Sequence, residues 1–246
     1  MRRFFLVISI LLFGASQLLW AQETQGVGFT IDTLNKPIEF SSSVNLLIAI
    51  SSISLLPFLL ISTTAFIRFA IVLGMLRQAL GLNTSPPNQV IIALSMFLTI
   101  YVMSPTWTVV YDEAIKPYNE GTITQSVALE NGIKPFKDFM LKYTREKDLA
   151  LFIEFSKIPP VTNIQDVPMF VLIPSYLISE LKTAFQIGFL IFIPFLVVDL
   201  VVSNILLSLG MFMLSPVMIS LPFKILLFVL ADGWNILIRG FLSGFQ

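Results

Sequence analysis

Charge in this chain is confined to a few places, and that confinement limits what it can fold into. The 246 residues carry 15 Lys and Arg against 15 Asp and Glu, and sixteen of those thirty charges fall within residues 112–166. Residues 40–67 have no charge, nor do residues 78–111, and residues 183–231 have only Asp199 and Lys224. Water-facing helices need a polar stripe, and residues 90–102 and 187–198 offer almost none. A membrane helix needs about 20 mostly apolar residues. The charge-poor tracts therefore have room for about four long helices, two on each side of a polar middle. A soluble helical bundle is the alternative, and the missing polar stripes weigh against it.

The chain has no His and no Cys. That excludes Ser-His-Asp and Cys-His catalysis, zinc held by nitrogen or sulfur, His-ligated haem, thiolate clusters and disulfides. A formal net charge of zero argues against nucleic-acid binding, which needs a basic face. No nucleotide-binding Gly-x-x-x-x-Gly-Lys-Ser/Thr loop is present. Any chemistry must rest on carboxylates, Lys, Arg or hydroxyls, and no cofactor is expected.

The organisation reads in five parts. Residues 1–21 have a basic start (Arg2, Arg3), an apolar run and the small residue Ala21 before polar Gln22. This is the pattern of a signal peptide cleaved between Ala21 and Gln22, or retained as an anchor. Residues 22–43 are a polar lead-in. Residues 44–111 form a first hairpin of two apolar helices, with a kink or break at Pro57, a turn over residues 81–87 and an interruption near Ser104 and Pro105. Residues 112–168 form a polar extracytoplasmic region that is helical and amphipathic over residues 133–155 and ended by Pro159 and Pro160. Residues 169–246 form a second hairpin with its tip over residues 210–216. There Pro174, Pro194, Pro216 and Pro222 argue against straight uninterrupted spans. The expected fold is an all-α membrane protein of kinked helical hairpins.

Arg68, Arg77, Glu180, Lys182, Asp199, Lys224, Asp232 and Arg239 are ionisable groups in apolar surroundings. Such residues pair or line a wet cavity. Ion pairing is favoured over a proton relay, because Arg68, Lys182 and Lys224 can be matched by Glu180, Asp199 and Asp232. An intramembrane aspartyl protease built on Asp199 and Asp232 lacks the Gly-x-Gly-Asp context. Met211, Phe212 and Met213 stand at a break flanked by Gly210 and Pro216. Met there is either core filler or a deformable seal, since irregular backbone at membrane depth is tolerated where it lines a cavity.

Several motifs carry a family resemblance. Thr64-Ala65-Phe66-Ile67-Arg68, Leu76-Arg77-Gln78-Ala79-Leu80-Gly81 and Pro86-Pro87-Asn88-Gln89-Val90 stand in the first half, followed by Met103-Ser104-Pro105. Tyr143-Thr144-Arg145-Glu146-Lys147-Asp148-Leu149 stands in the middle. Ser179-Glu180-Leu181-Lys182-Thr183-Ala184-Phe185, Pro194-Phe195-Leu196-Val197-Val198-Asp199, Leu221-Pro222-Phe223-Lys224 and Leu230-Ala231-Asp232-Gly233-Trp234 follow. In this order they resemble the FliP/SctR family of type III export gates, in its flagellar branch.

The resemblance implies a gate subunit that assembles in several copies with FliQ and FliR, with FlhA and FlhB alongside. That gate conducts unfolded flagellar subunits across the bacterial inner membrane. It implies a pore constriction at Met211, Phe212 and Met213, where relatives tend to have consecutive Met and Phe212 interrupts the run. It makes Arg68, Glu180, Lys182, Asp199 and Lys224 candidates for charge pairs at subunit contacts. Rival readings are the equivalent subunit of a virulence injectisome and a proton-coupled transporter using Glu180 or Asp199.

Overall fold

Prolines stand at the start of several helices in this chain, while hydroxyl side chains, glycines and tertiary hydrogen bonds mark other boundaries. The computed structural model describes residues 50–51, 54–55, 57–157 and 163–245. The expected signal peptide with its Ala21–Gln22 cleavage site, the lead-in and the start of the first apolar helix lie outside these residues. So do Pro159 and Pro160. The described residues form helices and no strand.

A short helix α1 (Pro57–Thr63) meets α2 (Phe66–Ala79) at an angle of 78°. The bend follows three consecutive hydroxyls. Ser62 and Thr63 donate to the Leu59 carbonyl and Thr64 to that of Leu60, a back-bonding pattern that bends helices. A turn with Gly81 at φ +77° leads to α3 (Asn88–Val102). A 58° bend at Met103 follows, ahead of α4 (Ser104–Asn119). Within α4 a π-turn spans Tyr111–Ile115.

The polar middle is helical, as expected over residues 133–155, and is built in two pieces. It forms α5 (Gln125–Tyr143) and α6 (Glu146–Ser156), with Thr144 and Arg145 extended between them. The reason is a tertiary bond. The Arg145 N–H donates to Ser179 Oγ at 3.0 Å instead of continuing the helix.

The long helix α7 (Met169–Ser208) runs for 40 residues with Pro174 and Pro194 inside it. The expectation that these prolines would interrupt the second half is corrected here. Each proline removes one backbone bond, and the flanking packing carries the helix through. Pro216 opens α8 (Pro216–Leu230), Pro222 lies within it, and α9 (Gly233–Ser243) follows at 63°. Among the described residues, α7 is the one unbroken helix long and apolar enough to cross a membrane. Counting each bent pair as one span raises the number to four.

α7 organises the packing, with α2, α5, α6 and α8 all lying against it. One core joins Phe69, Val72, Leu73 and Leu76 of α2 to Ala184 and Phe195 of α7 and to Leu237 and Phe241 of α9. A second joins Met140 and Leu149 of the polar region to Val171, Leu172 and Tyr176 of α7.

Candidate functional site

Residues four apart share one helix face, and on α7 such a stripe runs Leu172, Tyr176, Glu180, Ala184, Gly188, all buried. The acid sits in its centre with no exposed surface. On α2 the facing stripe begins with Arg68 and continues through the apolar core positions. The guanidinium meets Glu180 as a fork: Arg68 Nε donates to Oε2 at 2.7 Å and Nη2 to Oε1 at 2.5 Å. The Phe245 ring covers the guanidinium at 3.9 Å. Tyr143, whose ring lies 5.7 Å from the guanidinium, donates its hydroxyl to the Phe245 carbonyl at 2.8 Å. Tyr176 donates to the Thr64 carbonyl at 2.9 Å, tying α7 to the bend between α1 and α2.

Beside the Arg68–Glu180 pair, on a neighbouring face of α7, a second polar cluster joins the polar region to the apolar half. Asp148 of α6 is buried. It accepts from Ser179 Oγ at 2.8 Å and forms an ion pair with Lys182. Arg145 adds bonds to Thr183 Oγ1 at 3.2 Å and Gln186 Oε1 at 2.5 Å. Burial pushes the Asp148 carboxyl up, but the hydrogen bonds from Lys182 and Ser179 and the nearby charges of Lys182 and Arg145 together hold it below its usual value.

The third pair lies further along. Lys224 of α8 meets Asp199 of α7 at 2.7 Å and donates to the Ala79 carbonyl at the end of α2 at 3.1 Å. A cation is favoured there by the helix dipole. Ser220 donates to Asp199 from the same face of α8 at 2.5 Å. Among the described residues, no buried side-chain polar atom lacks a partner.

Of the charges singled out from sequence, the structure brings together Arg68 with Glu180 and Lys224 with Asp199. It gives Lys182 a partner, Asp148, that was not among them. These three pairs close within one chain. Lys182 keeps about half its side chain exposed, at 52 %. Asp232 is exposed, in left-handed backbone at φ +50° ahead of α9. Arg239 bonds Asn235 on its own helix. Tyr143, Asp148, Tyr176 and Phe245 were missed as members of the site. The motif holding Tyr143 and Asp148 was their one sequence signal.

Met211, Phe212 and Met213 stand on the turn between α7 and α8. The Gly210 and Met211 N–H groups close the end of α7 onto the Leu207 and Leu206 carbonyls, with Gly210 at φ +71° as this type of helix end requires. Phe212 is 76 % and Met213 99 % exposed.

A profile of the FliP family matches residues 49–241, a range that takes in the ion pairs and the loop tip. Relatives described as flagellar biosynthetic protein FliP are similar over most of their length. That of Pectobacterium carotovorum subsp. carotovorum is 47 % identical over 244 residues, 99 % of this chain and 93 % of the relative. That of Bacillus subtilis (strain 168) is 48 % identical over 209 residues, 85 % and 95 % of the two chains. The Borreliella burgdorferi protein is 40 % identical over 249 residues, covering 99 % and 98 %. Both clusters of α7 and its bare tip thus lie in sequence shared with these proteins, and the chain belongs to the FliP family.

Proposed function

We propose that this chain is a non-enzymatic core subunit of the flagellar type III protein export gate. It assembles in several copies with FliQ and FliR, with FlhA and FlhB alongside. The conduit they form passes unfolded flagellar subunits across the bacterial inner membrane. The observation that carries this reading is the likeness to flagellar relatives over nearly the whole chain. Exposed apolar faces support it: Phe189, Leu190, Ile193, Leu196, Val197 and Leu200 of α7 stand in the open and call for apolar neighbours.

In this reading α2 and α3 make one hairpin and α7 and α8 the other, with α5 and α6 in the periplasm. The Arg68–Glu180 and Lys224–Asp199 pairs hold the hairpins in the register that their contact faces need. Lys182, half exposed, has reach to spare for a neighbouring subunit. Met211, Phe212 and Met213 of several copies converge to close the pore. The test is the mass and stoichiometry of the complex after co-expression with FliQ and FliR in mild detergent. A large, stable multi-copy complex is expected. A monomer or dimer that ignores both partners overturns the reading.

A further inference from the structure

A cleft with apolar walls and a single cation opens between α2, α3 and α8. Its volume is about 430 Å³, with Leu73, Leu76, Val90, Leu94, Ile225 and Phe228 among its walls. That lies within the range of about 300–1,000 Å³ typical of small-molecule sites. It is open at the side, where Val90, Val229 and Trp234 are exposed.

Arg77, in the last turn of α2, is the only charged residue that lines it. Its Nη1 donates to Asn88 Oδ1 at 2.7 Å and to the Pro86 carbonyl at 3.2 Å. Both acceptors are neutral. Arg68, Lys182 and Lys224 each have a carboxylate partner. Arg77 has none among the described residues, and its Nε and Nη2 have no bond there. A cation in apolar surroundings draws an anion, and a guanidinium presents a fork matched to phosphate.

The occupant must join a long apolar body to an anionic end. A second copy of this chain would have to supply a carboxylate from its exposed apolar helices. Residues 183–246 hold two acids: Asp199 is already paired with Lys224, and Asp232 lies on the turn between α8 and α9, off the apolar helix faces. We propose that the cleft binds an anionic phospholipid, with an acyl chain along Leu76, Val90, Leu94 and Phe228 and the phosphate on the Arg77 guanidinium. This site is independent of what the assembled protein transports.

The test uses the full chain, extracted in mild detergent in whatever assembly it forms. Native mass spectrometry follows lipid retained after adding phosphatidylglycerol or phosphatidylcholine of the same acyl composition. Phosphatidylglycerol should be retained about tenfold more strongly, the scale of one charge-assisted contact. Arg77→Gln should erase that preference and Arg77→Lys restore most of it. Leu94→Trp, which fills the cleft, should lower retention of both lipids. The unmodified chain should also melt higher with phosphatidylglycerol than with phosphatidylcholine, a readout that needs no variant to fold. Equal retention of the two lipids overturns the proposal, as does a preference that survives Arg77→Gln. A photoreactive side chain at position 94 that labels protein instead of lipid also overturns it.

Discussion

Glu180 has one cationic partner and no exposed surface, so it and Arg68 each depend on the other for compensation of a buried charge. Removing one partner of a buried pair costs about 3–5 kcal/mol, because the other is stranded. Glu180→Gln should therefore lower the yield of assembled complex, read by size-exclusion mass in detergent. Asp148 makes a separate prediction about pH. Its carboxyl ionises more readily in the folded chain than in the unfolded one. Its contribution is therefore complete above the ordinary carboxylate value of about 3.9 and fades as pH falls through the lower, folded value. Melting temperature should stay flat from neutral pH down to about pH 5 with respect to this group, then fall in acid. Asp148→Asn should lower the plateau and flatten the acid fall. In sequence, Arg68 and Glu180 stand out because their surroundings are apolar. Asp148 does not, since it lies among fifteen other charges in residues 112–166, where nothing local separates a buried acid from a solvated one.

At the scale of elements, the contact of α2 with α7 depends on Gly188. A Cβ there would lie 2.2 Å from Met75 Sδ and 3.3 Å from Met75 Cβ. The thioether can swing away, but the Cβ is fixed to α2, so the two helices must part. Gly188→Ala should cost about 1–3 kcal/mol by overpacking. Adding Met75→Ala should recover part of that loss, measured as melting temperature of the single and double variants. The existence of these helices was legible from charge-free length, and the bend at Met103 from Ser104 and Pro105. Their breaks were harder to read. Pro174 and Pro194 suggested interruptions that α7 does not have. The break after Tyr143 came from Ser179, thirty-four residues away, taking the Arg145 N–H. The bend before α2 lies at hydroxyls whose carbonyl is held by Tyr176 from across the fold. Local pattern carries helix propensity, whereas these boundaries are set by partners remote in sequence.

For the molecule as a whole, the informative surface is the one that nothing in the chain covers. Apolar composition predicts faces seeking neighbours, but periodicity could not say which faces the chain buries by itself. The stripe through Tyr176 and Glu180 is buried against α2, while Phe189 and Leu200 stand in the open on the same helix. The loop tip is the extreme case. Met213 is 99 % exposed and Phe212 76 %, so these side chains contribute almost nothing to the fold of a single chain. If they form the seal of an assembled pore, seal and fold are separable. Changing Met211 and Met213 to Ala should then leave the mass of the complex unchanged and raise ion conductance in liposomes holding it. Phe212→Ala, which removes the ring that interrupts the Met run, should add to the leak. Unchanged conductance in a fully assembled complex of the triple variant would show that the constriction lies elsewhere. The polarizable, flexible Met side chain suits this position because a seal must deform around passing chains and then close again. Replacing Met211 and Met213 by Leu, equally apolar but branched and stiffer, should therefore keep the closed state tight while slowing export.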